Sequence, residues 1–496
     1  MITRRLYFSN ERGGPAGLLF PPMLRPVFLL ATLGLATAAE PRPPADAARV
    51  AAVTAHVAEF THPEPFEANA GGAFSATRGA LSAGLSPADR MQATLGEALF
   101  QKLWVAAPSA TRASDGLGPV FNARACAGCH PSGGRGGIAG AGQFGFVVKL
   151  SRPADPNEIE AGLAAIAGWH PTTGDPALGR QLNDRAVPGI ASEGEVELLW
   201  RETGVPLARE AVRLRRPVLR LIGARLAEDV IPDLRVAPHM TGLGLLEAIP
   251  AEDILSGADP DDSDGDGVSG RASVAWSRLR AQPMLGRFGH KAGAATLEDM
   301  TASALFHDLG LSSPSYPAPE GDCTRAACAR LPHGEDAGLR DEREVSSEAV
   351  RALAAYAGAL AGPLRRDFGA PEVLRGKAAF AEAGCTACHR PKFVTARLPD
   401  RPDRSFQLIW PYSDLLLHDM GPELASAPEG VAEAAEWRTA PLWGIGGQSS
   451  FLHDGRARSL HEAILWHGGE TAPSRDRFVE MPPETRANLI RFLESL

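Results

Sequence analysis

Two five-residue segments, Cys126-Ala-Gly-Cys129-His130 and Cys385-Thr-Ala-Cys388-His389, constrain this chain more than any other feature. Cysteines three apart share one helical turn, so both sulfurs can reach a single partner. C-x-x-C-H is the attachment pattern of c-type haem, with a thioether from each sulfur and the histidine as proximal iron ligand. A zinc ribbon would set its two cysteine pairs about 15–20 residues apart, whereas these lie more than 250 apart. A redox dithiol would sit at the end of a strand in a βαβ unit and would not need a histidine at both sites. The motifs therefore imply two covalently bound haem c groups, one held by Cys126, Cys129 and His130 and the other by Cys385, Cys388 and His389.

Haem c attachment fits the N-terminus, which reads as an export signal. Met23-Leu-Arg25-Pro is a short cationic start, and Val27 to Leu35 is an apolar run too short to span a bilayer. Ala36-Thr-Ala38 supplies the small residues of a cleavage site. Residues 1–39 are expected to be a signal peptide, with Met23 as an alternative start, and the mature protein to be periplasmic. No later apolar stretch is long enough for a membrane helix. In an oxidising compartment the two remaining cysteines, Cys323 and Cys328, are expected to close a small disulfide loop.

The chain has 496 residues and a formal net charge of -9, so an anionic partner such as nucleic acid has no electrostatic support. Its 53 Gly and 41 Pro imply long ordered loops. Helical patterns appear at Ala47–Phe60, Leu95–Trp104, Ser346–Ala361, Pro371–Ala383 and Glu484–Leu496, with Ser346 or Ser347 as an N-cap. Alternating runs at Phe144–Leu150 and Val196–Trp200 read as short strands. The expected fold is mainly α: two cytochrome-c-like haem domains with long ordered loops, and a small β subdomain inserted in the first. The N-terminal haem domain is placed at 40–340 and the C-terminal one at 341–496.

An internal repeat links the two halves. Phe288-Gly-His290-Lys-Ala-Gly-Ala-Ala-Thr-Leu297 aligns without gaps on Phe451-Leu-His453-Asp-Gly-Arg-Ala-Arg-Ser-Leu460. Phe, His, Ala and Leu coincide, and each segment leads into a helix.

The sixth iron ligands decide the chemistry, because two strong axial ligands favour electron transfer whereas an open position binds small oxidants. His467, on the helix expected after the second repeat segment, and Met420 are the candidates at the second haem. Separately, the acidic run from Asp259 places oxygen donors at Asp262, Asp264, Asp266 and Ser269, with Gly267 after the third of these aspartates. This matches the first half of a calcium loop. No glutamate closes it, so an EF-hand is excluded, and bound Ca2+ competes with a solvated acidic turn.

With these residues in view, the chain resembles the di-haem oxidoreductase (putative peroxidase) family, within the bacterial di-haem cytochrome c peroxidase and MauG superfamily. The likeness covers roughly residues 65–496. It is carried by Asp115–Asn122, Gly242-Leu-Gly-Leu-Leu-Glu-Ala-Ile249, Asp264-Gly-Asp-Gly-Val-Ser-Gly-Arg271 and Gly286–Ala292. In the second half it rests on Leu417-His-Asp-Met-Gly421, Arg438–Trp443 and His453-Asp-Gly-Arg-Ala457.

The resemblance implies that His130 holds a peroxide-reactive iron and His389 a relay iron. Superfamily members place a Met or Tyr ligand where His467 falls, so a bis-His relay haem is implied here. They also place an acidic residue near the reactive haem, for which Glu247, His307 and Asp308 are candidates. His290 stands where the family commonly has Trp.

The function that follows is a periplasmic oxidoreductase acting on peroxide or another small oxidant, with electrons from a partner protein. The alternative is a non-catalytic di-haem electron-transfer or redox-sensing cytochrome. Oxidation of a protein substrate at a distance through Trp residues is a third possibility that the sequence does not separate.

Overall fold

A computed structural model describes residues 42–138, 145–155, 161–207 and 210–496. The export signal expected at 1–39 lies outside these residues, as does the end of the glycine-rich loop after the first motif.

The helices begin where local chemistry satisfies their free amides. The first, α1 (Pro44–Thr54), starts on a proline, which has no N–H to satisfy. In α2 (Pro87–Gln101) the Ser86 hydroxyl accepts from the Asp89 amide. The first motif is itself a single turn, α3 (Cys126–Cys129). Short helices α4 (Ala161–Ala164), α5 (Leu243–Glu247) and α6 (Ala251–Leu255) follow. Next, α7 (Leu297–Leu309) is capped by Thr296 and stopped by Gly310 in the left-handed conformation. Ser346 caps α8 (Ser347–Ala359), and α9 (Pro371–Glu382) leads into the second motif. The chain closes with α10 (Leu460–Leu465, capped by Ser459), α11 (Ala472–Glu480) and α12 (Pro483–Ser495).

Two helix crossings organise the cores, and each depends on a glycine. At Gly96 of α2, an added Cβ would lie 1.9 Å from the Ala352 carbonyl oxygen of α8. At Gly376 of α9, it would lie 1.9 Å from the Asn488 carbonyl oxygen of α12. A side chain at either point would force the helix axes apart. The α2–α8 crossing belongs to a core of Phe100, Leu305, Leu309, Leu353 and Tyr356 that packs on Cys126. The α9–α12 crossing belongs to a core of Phe380, Leu460, Trp466, Leu489 and Phe492 that packs on Cys385. The helix starting at Ser347 thus serves the first motif, although it follows residue 340 in sequence.

The β structure is small, and it lies where the alternating runs predict it. Phe146–Pro153 pairs antiparallel with Ile231–Val236 and Thr172–Thr173. Glu195–Leu207 pairs with Glu210–Ile222 as one long hairpin. The base of this hairpin buries Leu198 against the sheet core, and its far end buries Leu207 and Leu214 in the core of the second motif. No barrel forms among the described residues. Cys323 and Cys328 are bridged, as expected. No described helix is long and apolar enough to cross a membrane.

The repeat is a repeat of structure. Phe288 bridges Ala294, and Phe451 bridges Ala457, closing the same loop around His290 and around His453. In each case a Thr or Ser cap, accepting from the amide of Asp299 or Glu462, then opens the next helix.

Candidate functional site

The first motif is pinned from both sides. Trp104 and Arg124 exchange hydrogen bonds of 2.9 Å, and the Asp308 carbonyl takes the amides of Asn122 (2.8 Å) and Ala123 (3.2 Å). The His130 Nδ1 faces the Gly134 carbonyl at 3.3 Å. A carbonyl only accepts, so Nδ1 donates, as in a metal-ligating histidine; the Pro238 carbonyl is a second acceptor beside the ring. Burial holds His130 below the usual imidazole range, and therefore neutral.

The second motif repeats this arrangement. His389 Nδ1 donates to the Tyr412 carbonyl at 2.9 Å, and burial lowers His389 to about 4. His467 lies two residues past the end of α10 rather than within the helix, and its Nδ1 donates to the Ala463 carbonyl at 2.9 Å. It is also neutral through burial. His389 and His467 therefore present unprotonated Nε2 atoms.

Both motifs open on one cavity with about 2580 Å³ of empty space, part of it continuous with solvent. Cys126, His130, Cys385, Cys388 and His389 all line it, as do His467 and Met420. The four motif cysteines are free thiols, in a chain whose other two cysteines are joined. Burial pushes the Cys126, Cys129 and Cys385 thiols up to about 12. Neutral thiols paired across one turn, a neutral histidine beside them and a shared apolar cavity fit a covalently held haem in each half.

Where the halves meet, the repeat histidines approach each other. The His290 and His453 ring centroids are 6.5 Å apart, and Trp437 stacks on His453 at 3.7 Å. His290 is fixed by its Nε2, which donates to the Val236 carbonyl at 2.9 Å.

His418, of the Leu417-His-Asp-Met-Gly421 segment, also lines the cavity but has no lone pair to give. Its Nε2 lies 2.8 Å from Asp414 and its Nδ1 2.5 Å from Glu470. Burial alone would lower its pKa, yet hydrogen bonds to Asp414, Cys388 and Glu470 outweigh it and hold the ring cationic, at about 12. Nothing in the sequence marked this clamp, because its parts are 4 and 52 residues from His418.

The three acid candidates have other partners. Glu247 accepts from the Leu297 amide at 3.0 Å and sits 3.4 Å from Arg404. His307 packs between Phe306 and Tyr316, and its Nδ1 donates to the Ser303 carbonyl. Asp308 accepts from Gln181 at 2.8 Å. None of the three is on the cavity wall. The wall uses the first turns of α7, through Leu297, Met300, Thr301 and Ala304; His307 and Asp308 lie in its last turn, from which the Asp308 carboxylate acts on Cys126, Cys129 and His130.

In the acidic loop, carboxylate oxygens of Asp259, Asp262 and Asp264 come within 4.8 Å of one another. Asp266 is outside this trio and accepts from the Val268 amide. Ser269 points away from it, donating its hydroxyl to Glu470 at 2.7 Å.

The model of the family described as "Di-haem oxidoreductase, putative peroxidase" matches residues 62–155 and 219–496. The unmatched stretch holds most of the long hairpin. No curated protein matches the chain significantly. Among solved structures, a dihaem peroxidase of Burkholderia thailandensis is similar at 15% identity, over 83% of this chain and 86% of that one, with a TM-score of 0.33. Hydrazine synthase of Kuenenia stuttgartiensis is similar at 15% identity, over 53% of this chain and 73% of that one, with a TM-score of 0.28. The family match contains both motifs, both repeat loops and every cavity residue named above, and the chain belongs to the di-haem oxidoreductase family.

Proposed function

We propose that this oxidoreductase is an exported, periplasmic peroxidase in which the two halves divide the work. Haem c is attached through Cys126 and Cys129 under His130, and through Cys385 and Cys388 under His389. Each attachment site is the centre of a cytochrome-c-like unit. The first haem meets peroxide, and the second passes electrons from a partner protein.

One observation carries the division. Carried through the structural repeat, His467 of the second half corresponds to Ala304 of the first, and both line the cavity. Where the second half offers an imidazole with free Nε2, the first offers a methyl group. A haem held by His130 would supply the electron exchange with peroxide. The chain's residues do the rest. The Nδ1 bonds of His130 and His389 fix their ring orientations, and Leu297, Met300 and Leu305 line the first half's wall with apolar surface.

The spectrum of the ferric holo-protein tests this reading. A mixed high-spin and low-spin signature, with the high-spin part consumed by peroxide, is expected. Two low-spin haems inert to peroxide after half-reduction would overturn it.

Met300 and Met240 favour the second reading, of an electron-transfer or redox-sensing cytochrome, because both thioethers line the cavity in the first half. If either closes the first haem, the wild type lacks the high-spin signal and Met300→Leu or Met240→Leu creates it. On the proposed reading neither variant changes the spectrum.

A further inference from the structure

Of the four arginines on the cavity wall, Arg475 pairs with Asp476, whereas the other three, Arg135, Arg287 and Arg438, have no carboxylate within hydrogen-bonding distance. Burial lowers each to about 10, so all three stay charged at neutral pH. Enclosed guanidinium groups without an anion are expensive, and in a chain of net charge -9 they are also out of character. Arg287 spends its NH1 on the carbonyls of Leu246, Glu247 and Ile249. Arg135 and Arg438 are different.

Arg135 follows the first motif, yet it donates to the Leu452 carbonyl of the second repeat loop. Arg438 belongs to the second half, yet its Nε donates to the Gly289 carbonyl of the first repeat loop at 3.0 Å. Leu452 and Gly289 are the same position of the repeat, immediately before His453 and His290. The two cations are thus exchanged between the halves. The Arg135 Nε is shut off from solvent and has no partner. His239 stands beside them on the wall, lowered to about 4 by burial and then by Arg135, Arg438 and Arg78. This part of the wall is therefore positive, with no carboxylate of the chain hydrogen-bonded to Arg135 or Arg438.

We infer that Arg135 and Arg438 form a carboxylate-binding pair, and that the carboxylates they take are the propionates of the prosthetic groups. Guanidinium is the side chain best shaped for a carboxylate, since its N–H groups can bind both oxygens at once. The inference rests on haem attachment at the two motifs, and is independent of which haem meets peroxide. It gives the exchanged arginines a second role, because each ties a repeat loop of one half to a charge in the shared cavity.

The test compares Arg135→Gln and Arg438→Gln holo-proteins with wild type by spectro-electrochemistry in buffer free of small carboxylates, with acetate then titrated in. Removing a cation beside a propionate favours the ferric state. Each variant is therefore expected to lower a haem midpoint potential before acetate is added, while Arg→Lys variants stay closer to wild type and acetate has no saturable effect. Unchanged potentials in both Gln variants would overturn the inference. If acetate perturbs the wild-type Soret band saturably and this response vanishes in the variants at unchanged potential, the bound carboxylate is a free one and the propionate assignment falls. Should a Gln variant fail to accumulate, the Met variant gives the same readout, because it too removes the charge while keeping an unbranched, flexible side chain in the space. The peroxide-reactive reading stands or falls separately, on the high-spin signal.

Discussion

The two halves share a plan and differ in ligand supply. Each sets a C-x-x-C-H turn against a helix pair crossed at a glycine, Gly96 with α8 and Gly376 with α12. Each then closes a loop on a half-buried histidine and opens a capped helix over the cavity. The scaffold is duplicated, but the side chains on the wall are not. The second half carries His467, Met420 and the clamped His418, whereas the first carries Ala304, Thr301 and Met300. Similar scaffolds thus leave reactivity to a few positions, where one imidazole or one methyl group sets what an iron can bind.

The sharpest way to break the contrast is to give the first half the second half's ligand. Ala304→His is expected to turn the high-spin component low-spin. A ligand occupying the position 99% of the time leaves about one hundredth of the peroxide reactivity. Full turnover in that variant would show that Ala304 does not face the reactive position.

The reverse change is smaller in effect. His467→Ala should open the second haem, giving a new high-spin signal and turnover lowered by about tenfold or less, because a relay still functions when its potential shifts. If low-spin character survives in His467→Ala but is lost in Met420→Leu, the ligand is Met420.

The shared scaffold can be tested at its crossings. Gly96→Ala and Gly376→Ala should each destabilise the holo-protein by about 1–3 kcal/mol in denaturant unfolding, since the new methyl has no room beside a backbone carbonyl. Equal losses would support duplicated packing. A neutral result at either glycine would show that its crossing relaxes.

The smallest effect is an absence of titration. His418 is held at about 12, above the unfolded imidazole value of about 6.5. Its contribution to stability is complete below the unfolded value and is lost as pH rises through the folded one. Both ring N–H resonances should therefore persist from about pH 6 to pH 10 by NMR. Loss of one near neutrality would mean that one of the two carboxylates is not engaged.

What the sequence shows clearly is local. The motifs, the caps Ser346 and Ser459, the Cys323–Cys328 pair and the repeat all depend on neighbours within a few residues. The strands were visible as alternation, but the path of the hairpin into the second core was not, since burial of Leu207 and Leu214 depends on residues more than 150 positions away. Gly96 carries no local sign that it will meet Ala352. His307 and Asp308 lie in the last turn of a helix whose first turns line the cavity, and sequence alone does not show which turns do. The exchanged arginines were hidden for the same reason, because their meaning depends on which loops they reach.

That exchange bears on how such a chain can evolve. A duplicated gene begins as two copies, each complete. Once Arg135 serves the second repeat loop and Arg438 the first, neither copy keeps its own set of contacts. A chain cut between the halves would leave each fragment with an enclosed cation and a loop lacking its tether. The halves have become interdependent, and selection can act on them only together.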